Sequence, residues 1–167
     1  MAGKQRNALP IGDLLQNYRI EDVLGSGGFG ITYMASEAVT ERTVAIKEFL
    51  PSNIAVRDRD SRSVHPISEG DRQDYEWGLE RFRQEAKVLI TLEHRNIVPV
   101  LNYFEANGTG YLVMAYQDGK SLGALLKRDM TLSQAEIDDI LLPIVDGVGA
   151  IHEAGFLHRD IKPDNIV

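Results

Sequence analysis

Regular hydrophobic patterning begins at Tyr18. Three short runs, Tyr18-Arg19-Ile20-Glu21-Asp22-Val23-Leu24, Ile31 to Ser36 and Thr43 to Phe49, are rich in β-branched and aromatic residues. A glycine cluster and the polar stretch Glu37 to Arg42 separate them, so they predict three antiparallel strands. Residues 1–17 are mixed and weakly patterned and read as a flexible lead-in. The insert 51–70 contains Arg57-Asp58-Arg59-Asp60-Ser61-Arg62 and offers no apolar face to bury. It reads as a surface loop, with control of the following helix as the alternative. From about Asp71 the period turns helical, with Tyr75, Leu79, Phe82, Ala86, Leu89 and Ile90 at three- and four-residue steps. Ile97 to Glu105 and Gly110 to Tyr116 predict two more strands, joined through Asn107-Gly108, a dipeptide that accepts the positive φ angles of a hairpin turn. Ser121 to about Lys127 predicts a short helix. Ser133-Gln134-Ala135-Glu136 has capping-box spacing ahead of a second long helix carrying Ile137, Ile140, Leu141, Ile144, Val148 and Ile151. Pro143 should bend that helix, and Gly147 and Gly149 should weaken it.

Composition narrows the class. The 167 residues hold 18 Lys+Arg against 25 Asp+Glu, 43% apolar residues and no cysteine. The chain is long enough to bury a core unaided, and disulfides and Cys-ligated metal sites are excluded. The lack of cysteine suits a reducing compartment, and with no apolar leader or bilayer-length run the expected location is cytoplasmic. A net charge of −7 without a basic stripe argues against nucleic acid as a partner.

Chemistry concentrates at three places. Leu24-Gly25-Ser26-Gly27-Gly28-Phe29-Gly30 lies between two strands, which suits a flap whose bare amides lie over phosphates. In Val44-Ala45-Ile46-Lys47 one cation interrupts an apolar strand, and period-two geometry puts Ala45 and Lys47 on one face beneath the flap. Glu85 shares a helix side with Phe82, Leu89 and Leu92 and is the candidate counter-ion for Lys47. The third place is His158-Arg159-Asp160-Ile161-Lys162-Pro163-Asp164-Asn165.

Taken in order, the glycine flap, the Val-Ala-Ile-Lys strand, the stretch Phe82 to Val98 and this octet resemble a eukaryotic-type protein kinase from about Tyr18 to the end of the chain. Lys47-Glu48-Phe49-Leu50-Pro51 and Gly155-Phe156-Leu157-His158 more particularly resemble bacterial serine/threonine kinases. The resemblance implies an α+β fold: a five-stranded antiparallel N-lobe with one long helix at residues 18–115, then the first helices of an incomplete helical C-lobe at 116–167. It implies ATP and Mg²⁺ as cofactors and a protein with a Ser/Thr acceptor as substrate. Lys47 would bind the α/β-phosphates and pair with Glu85. Asp160 would orient the acceptor hydroxyl or take its proton, Lys162 would neutralise the γ-phosphate, and Asn165 would be a Mg²⁺ ligand. The flap residues from Leu24 through Gly30 and Ile31 would line the phosphates. Thr32 and Ala45 would lie over the adenine, Met114 would be the gatekeeper, and Ala115-Tyr116-Gln117 the hinge. Thr32 departs from the usual Val. His158 resembles a buried spine residue alongside Leu89 and Val100, and Arg159 resembles the partner of an activation-loop phosphate.

The 167 residues contain no Asp-Phe-Gly, so the chain by itself is expected to be inactive or nearly so. The alternative is a truncated pseudokinase that binds nucleotide or a partner. A small-molecule kinase fits the flap and Lys162-Pro163 less well. The second long helix is apolar on more than one side, which predicts self-association of the isolated chain.

Overall fold

The computed structural model describes residues 7–58, 62–127, 131–158 and 160–167. They form two compact units, one running to Ile90 and including Val100–Tyr116, the other made of Thr91–Pro99 and Gln117–Val167.

The first unit is built on a six-stranded antiparallel sheet in the order β1-β2-β3-β4-β8-β7. Its strands are β1 (Leu14–Leu15), β2 (Tyr18–Gly27), β3 (Gly30–Glu37), β4 (Thr43–Phe49), β7 (Val100–Ala106) and β8 (Thr109–Ala115). The five strands expected from the sequence are all present, and β1 extends the sheet at its edge. Register makes the two faces unlike. Tyr33 lies opposite Ile46, Ile46 opposite Val113, and Glu48 opposite Tyr111, all on one face and all 0% exposed. The other face carries Thr32 opposite Lys47 and Ala45 opposite Met114, each half-buried. Asn107 (φ 51°) and Gly108 (φ 72°) make the β7–β8 turn as the dipeptide predicts.

The lead-in is a correction. Its described part packs on the sheet: Leu9 and Leu15 are buried, the Gly12 amide donates to Ile20 O at 2.7 Å, and the Ile20 amide donates to Asp13 O at 2.9 Å. Two isolated buried leucines without intervening alternation do not make a periodic pattern, so none announced them. The insert is a second correction. It folds back as β5 (Ala55–Arg57) and β6 (Val64–Pro66), paired antiparallel, with Ala55, Arg57 and Val64 buried. The Val64 amide donates to Asn107 O at 2.7 Å, docking this hairpin on the β7–β8 turn.

The first long helix, α1 (Arg72–Thr91), buries Tyr75, Phe82 and Ala86. It packs on the Lys47 face of the sheet, where the Phe49 ring stacks with Phe82 and meets a tilted Tyr75, each at 5.6 Å between ring centres. Aromatic pairs of this kind add to plain area burial.

In the second unit, α2 (Leu122–Leu126) is capped by Ser121 and α3 (Gln134–Glu153) by Ser133. The predicted capping box is formed: Ser133 N donates to Glu136 Oε2 at 2.8 Å, and Glu136 N donates to Ser133 Oγ at 3.3 Å. The helix continues through Pro143. Gly147 has a role beyond weakening it, because a Cβ there would lie 3.1 Å from Asn96 O and hold off the Thr91–Pro99 segment. Asn96 Nδ2 also donates to Asp146 Oδ2 at 2.9 Å. The helix ends where Gly155 takes φ 78°, with the Phe156 amide donating to Ile151 O at 3.1 Å and the Gly155 amide to His152 O at 2.9 Å. That turn launches the segment holding Asp160. Among the described residues no helix is long and apolar enough to cross a membrane.

Candidate active site

The first unit carries a flap and a cation. The flap joins β2 to β3, with Ser26 opposite Ile31 and Gly27 opposite Gly30. A Cβ on Gly25, Gly27 or Gly28 would meet nothing within 4 Å, whereas one on Gly30 would lie 1.9 Å from Glu48 O. The glycines thus divide by cause. Gly30 is required by β4, whereas at the other three there is open space where a side chain would stand, which lets a ligand approach the backbone closely. Phe29 at the tip is 76% exposed. The flap hangs from the chain that follows β4: the Leu50 amide donates to Phe29 O and the Ser52 amide to Gly28 O, each at 3.1 Å.

Lys47, Ala45, Thr32 and Met114 share the half-buried face, as strand parity required. Leu24 is 46% exposed at the start of the flap. Ile31 corrects the sequence-based assignment, because its side chain belongs to the opposite, closed face and is buried there. Glu85 is half-buried on α1. The expected Lys47–Glu85 pair is not formed: among the described residues the ion pairs within 4.0 Å include neither side chain. Ala115 ends β8, and Tyr116 and Gln117 follow outside any helix or strand.

The second unit, by itself, carries the segment around Asp160. A 3₁₀ turn at Pro163–Asn165 brings Asn165 back on the chain, so its Nδ2 donates to Asp160 O at 2.8 Å and to Asp160 Oδ2 at 2.9 Å. Lys162 Nζ lies 3.0 Å from Asp160 Oδ1. The carboxylate is therefore oriented by an amide and partly neutralised by an ammonium. The Asn165 carbonyl oxygen remains as an acceptor suited to a hard cation. Among the described residues no three His, Cys, Asp or Glu side chains are grouped to hold a metal by themselves. His158 is exposed, its Nδ1 accepting from the Asp160 amide at 3.3 Å, and is not the buried residue expected. Arg159 lies outside the described residues.

Sequence reasoning missed the polar centre on the closed face of the sheet. Glu48, fully buried, accepts from Tyr33 Oη at 2.8 Å and is paired with Arg57 Nη2. Burial alone would push the Arg57 guanidinium down, but Glu48's charge and hydrogen bond more than offset this and hold it above its ordinary value. Burial first, then the Glu48 charge, pushes the Tyr33 and Tyr111 phenols far up. The signal was present in the parity of β4: Glu48 alternates in phase with Val44 and Ile46 and so had to point into the core.

Comparison with known proteins accords with this arrangement. The chain is 35% identical over 157 residues to serine/threonine-protein kinase PknA of Nostoc sp., covering 92% of this chain and 25% of that protein. It is 30% identical to serine/threonine-protein kinase PknH of Mycobacterium bovis, covering 94% of this chain and 23% of that one. Among solved structures it resembles the apo form of PpkA-294 with a TM-score of 0.87 at 36% identity, covering 95% of this chain and 57% of the other. The chain thus spans about a quarter of the length of the curated relatives it matches. Residues 18–167 match the protein kinase domain, and the chain belongs to that family.

Proposed function

We propose that this chain supplies the nucleotide-binding and catalytic-loop parts of a serine/threonine protein kinase that moves the γ-phosphoryl group of Mg-ATP to a protein hydroxyl. The observation that carries this reading is the Asp160, Lys162 and Asn165 constellation, a carboxylate held by one amide and one ammonium. In the transfer the acceptor oxygen forms a bond to the γ-phosphorus, the bond to the β-phosphate oxygen breaks, and Asp160 takes the hydroxyl proton. Lys162 would offset charge on the γ-phosphate, and Asn165 would hold Mg²⁺ through its carbonyl oxygen. The bound metal would neutralise phosphate charge. The backbone around Gly25, Gly27 and Gly28 and the Lys47 ammonium would hold the remaining phosphates. Thr32, Ala45 and Met114 would flank the adenine, and the Ala115–Gln117 backbone would bind its edge.

The test is transfer of labelled γ-phosphate to a Ser/Thr protein substrate by the protein that carries this sequence. Asp160→Asn and Lys47→Met are each expected to lower the rate by about 10²-fold or more. Full activity in both variants overturns the role assignments. ATP binding without any transfer moves the reading to the pseudokinase. Leu142 and Val145 on α3 are 68% and 66% exposed, so the isolated chain is expected to self-associate. A monodisperse monomer in light scattering at high concentration counts against this.

A further inference from the structure

Four segments of the first unit meet in one closed circuit of hydrogen bonds. The Leu9 amide donates to Tyr33 Oη at 3.1 Å, and Tyr33 Oη donates to Glu48 Oε2 at 2.8 Å. Glu48 Oε1 accepts from Arg57 Nη2, and Arg57 Nε returns to the lead-in by donating to Asn7 O at 2.8 Å. The remaining arm of the guanidinium, Nη1, donates to Arg62 O at 2.6 Å across the hairpin. A rigid planar fork engaged on three segments is a use that Arg fills and Lys does not. Glu48 is fully buried and Arg57 is 8% exposed, so the circuit is shielded from solvent competition.

The circuit is fastened to the part of the chain that carries the flap. Glu48 is the residue after Lys47, and its carbonyl is the atom against which Gly30 is packed. Two residues on, the Leu50 amide holds Phe29 O, and the Ser52 amide holds Gly28 O. Thr109 Oγ1 donates to Phe49 O and ties the same run to β8. Five residues after Ser52 the chain reaches Arg57, which returns to Glu48. The run Glu48–Arg57 is thereby closed end to end by one ion pair, with the flap suspended from Leu50 and Ser52 inside it.

We propose that Arg57 is a positioning residue for the nucleotide's phosphates: through Glu48 it fixes the run Glu48–Ser52, and with it the height and order of the glycine flap. The insert 51–70 is then a strut for the flap. This rests on the nucleotide reading above, and it adds a residue outside the phosphate site on which phosphate affinity depends.

The test compares ATP with adenosine, which lacks the groups the flap would hold, as calorimetric ligands of the 167-residue chain. Wild type, Arg57→Lys, which keeps the charge and loses the fork, and Tyr33→Phe, which removes one hydroxyl, are measured at a temperature where each is folded by circular dichroism. Both variants are expected to bind ATP about tenfold more weakly while adenosine affinity stays within about twofold. The Leu50 and Ser52 amides should also exchange hydrogen faster in both, a readout that needs no nucleotide. A merely structural role lowers the unfolding temperature and leaves the ratio of ATP to adenosine affinity at its wild-type value, and that result overturns the proposal. So do Leu50 and Ser52 amides that exchange at the wild-type rate. A wild-type chain that binds neither ligand overturns the nucleotide reading itself, and this proposal falls with it.

Discussion

Gly30 and Glu48 touch so closely that a methyl group on Gly30 would sit 1.9 Å from the Glu48 carbonyl oxygen. The neighbour is backbone held between two strands, opposite Ile31 on one side and Tyr111 on the other, and cannot move away cheaply. Gly30→Ala is therefore expected to destabilise the first unit by about 3 kcal/mol. Gly27→Ala, whose methyl meets nothing within 4 Å, should stay within about 0.5 kcal/mol of wild type. Urea unfolding of both variants checks the contrast. Equal losses would mean that the flap glycines are all structural.

Asn165 supports Asp160 from two sides, donating to its main-chain oxygen and to its carboxylate. Asn165→Ala removes both bonds and the acceptor assigned to Mg²⁺. The segment is exposed, so stability should change by less than about 0.5 kcal/mol. Phosphoryl transfer should fall by about 10²-fold or more, and raising Mg²⁺ should not restore it fully, because the orientation of Asp160 is lost as well. Complete rescue by Mg²⁺ would reduce Asn165 to a metal ligand alone.

The elements that could be read from the sequence are those whose own residues decide them. The strand Thr43–Phe49 repeats with period two over seven residues, and the Ser133–Glu136 box is a local motif, so both match the structure at the positions expected. The segment Asp160–Asn165 is contiguous, and the turn Pro163–Asn165 brings Asn165 back to Asp160, which Lys162 also meets. The hairpin of Ala55–Arg57 with Val64–Pro66 was not legible, because three-residue strands carry no periodic signal and Arg57 is buried only because Glu48 awaits it. The lead-in is held in the same way, through Leu9 and the carbonyl of Asn7. The Lys47–Glu85 pair failed for a related reason. Parity places each side chain on the correct side of its own element, but the gap between them depends on how far α1 lies from β4, which no local pattern encodes.

The α3 cap gives a prediction in acid. Hydrogen bonds from the Ser133 amide, then from its hydroxyl, hold the Glu136 carboxyl below its ordinary value. A depressed carboxylate adds stability that is present above the ordinary carboxylate range and lost as pH falls through the folded value. Ser133→Ala is expected to cost about 1 kcal/mol near pH 7 and less at a second, acid pH below the folded value of Glu136, where the Ser133 hydroxyl no longer has a charged acceptor. Urea unfolding followed by the helical circular dichroism signal at the two pH values measures the difference. A cost that does not shrink in acid would show that the bond from the Ser133 hydroxyl to the Glu136 carboxylate contributes nothing.

The opposite limb of the pH profile is set by tyrosines. Burial is the leading cause that raises Tyr33, Tyr75, Tyr103 and Tyr111, assisted by Glu48 at Tyr33 and Tyr111 and by the hydrogen bond to Glu105 at Tyr103. These are four of the six tyrosines in the chain. An unfolded chain ionises its phenols near pH 10, while the folded unit keeps these four protonated, so unfolding releases protons once the pH passes that value. A raised folded value contributes stability that is complete below the unfolded value and declines as pH rises towards the folded one. The first unit should therefore hold its stability up to about pH 10 and lose it steeply above. Absorbance of phenolate against pH should show these four tyrosines ionising together with the loss of the folded circular dichroism signal. Tyr33→Phe should remove one proton from the release and make the alkaline decline shallower, and four phenols ionising while the chain stays folded would contradict the burial that raises them.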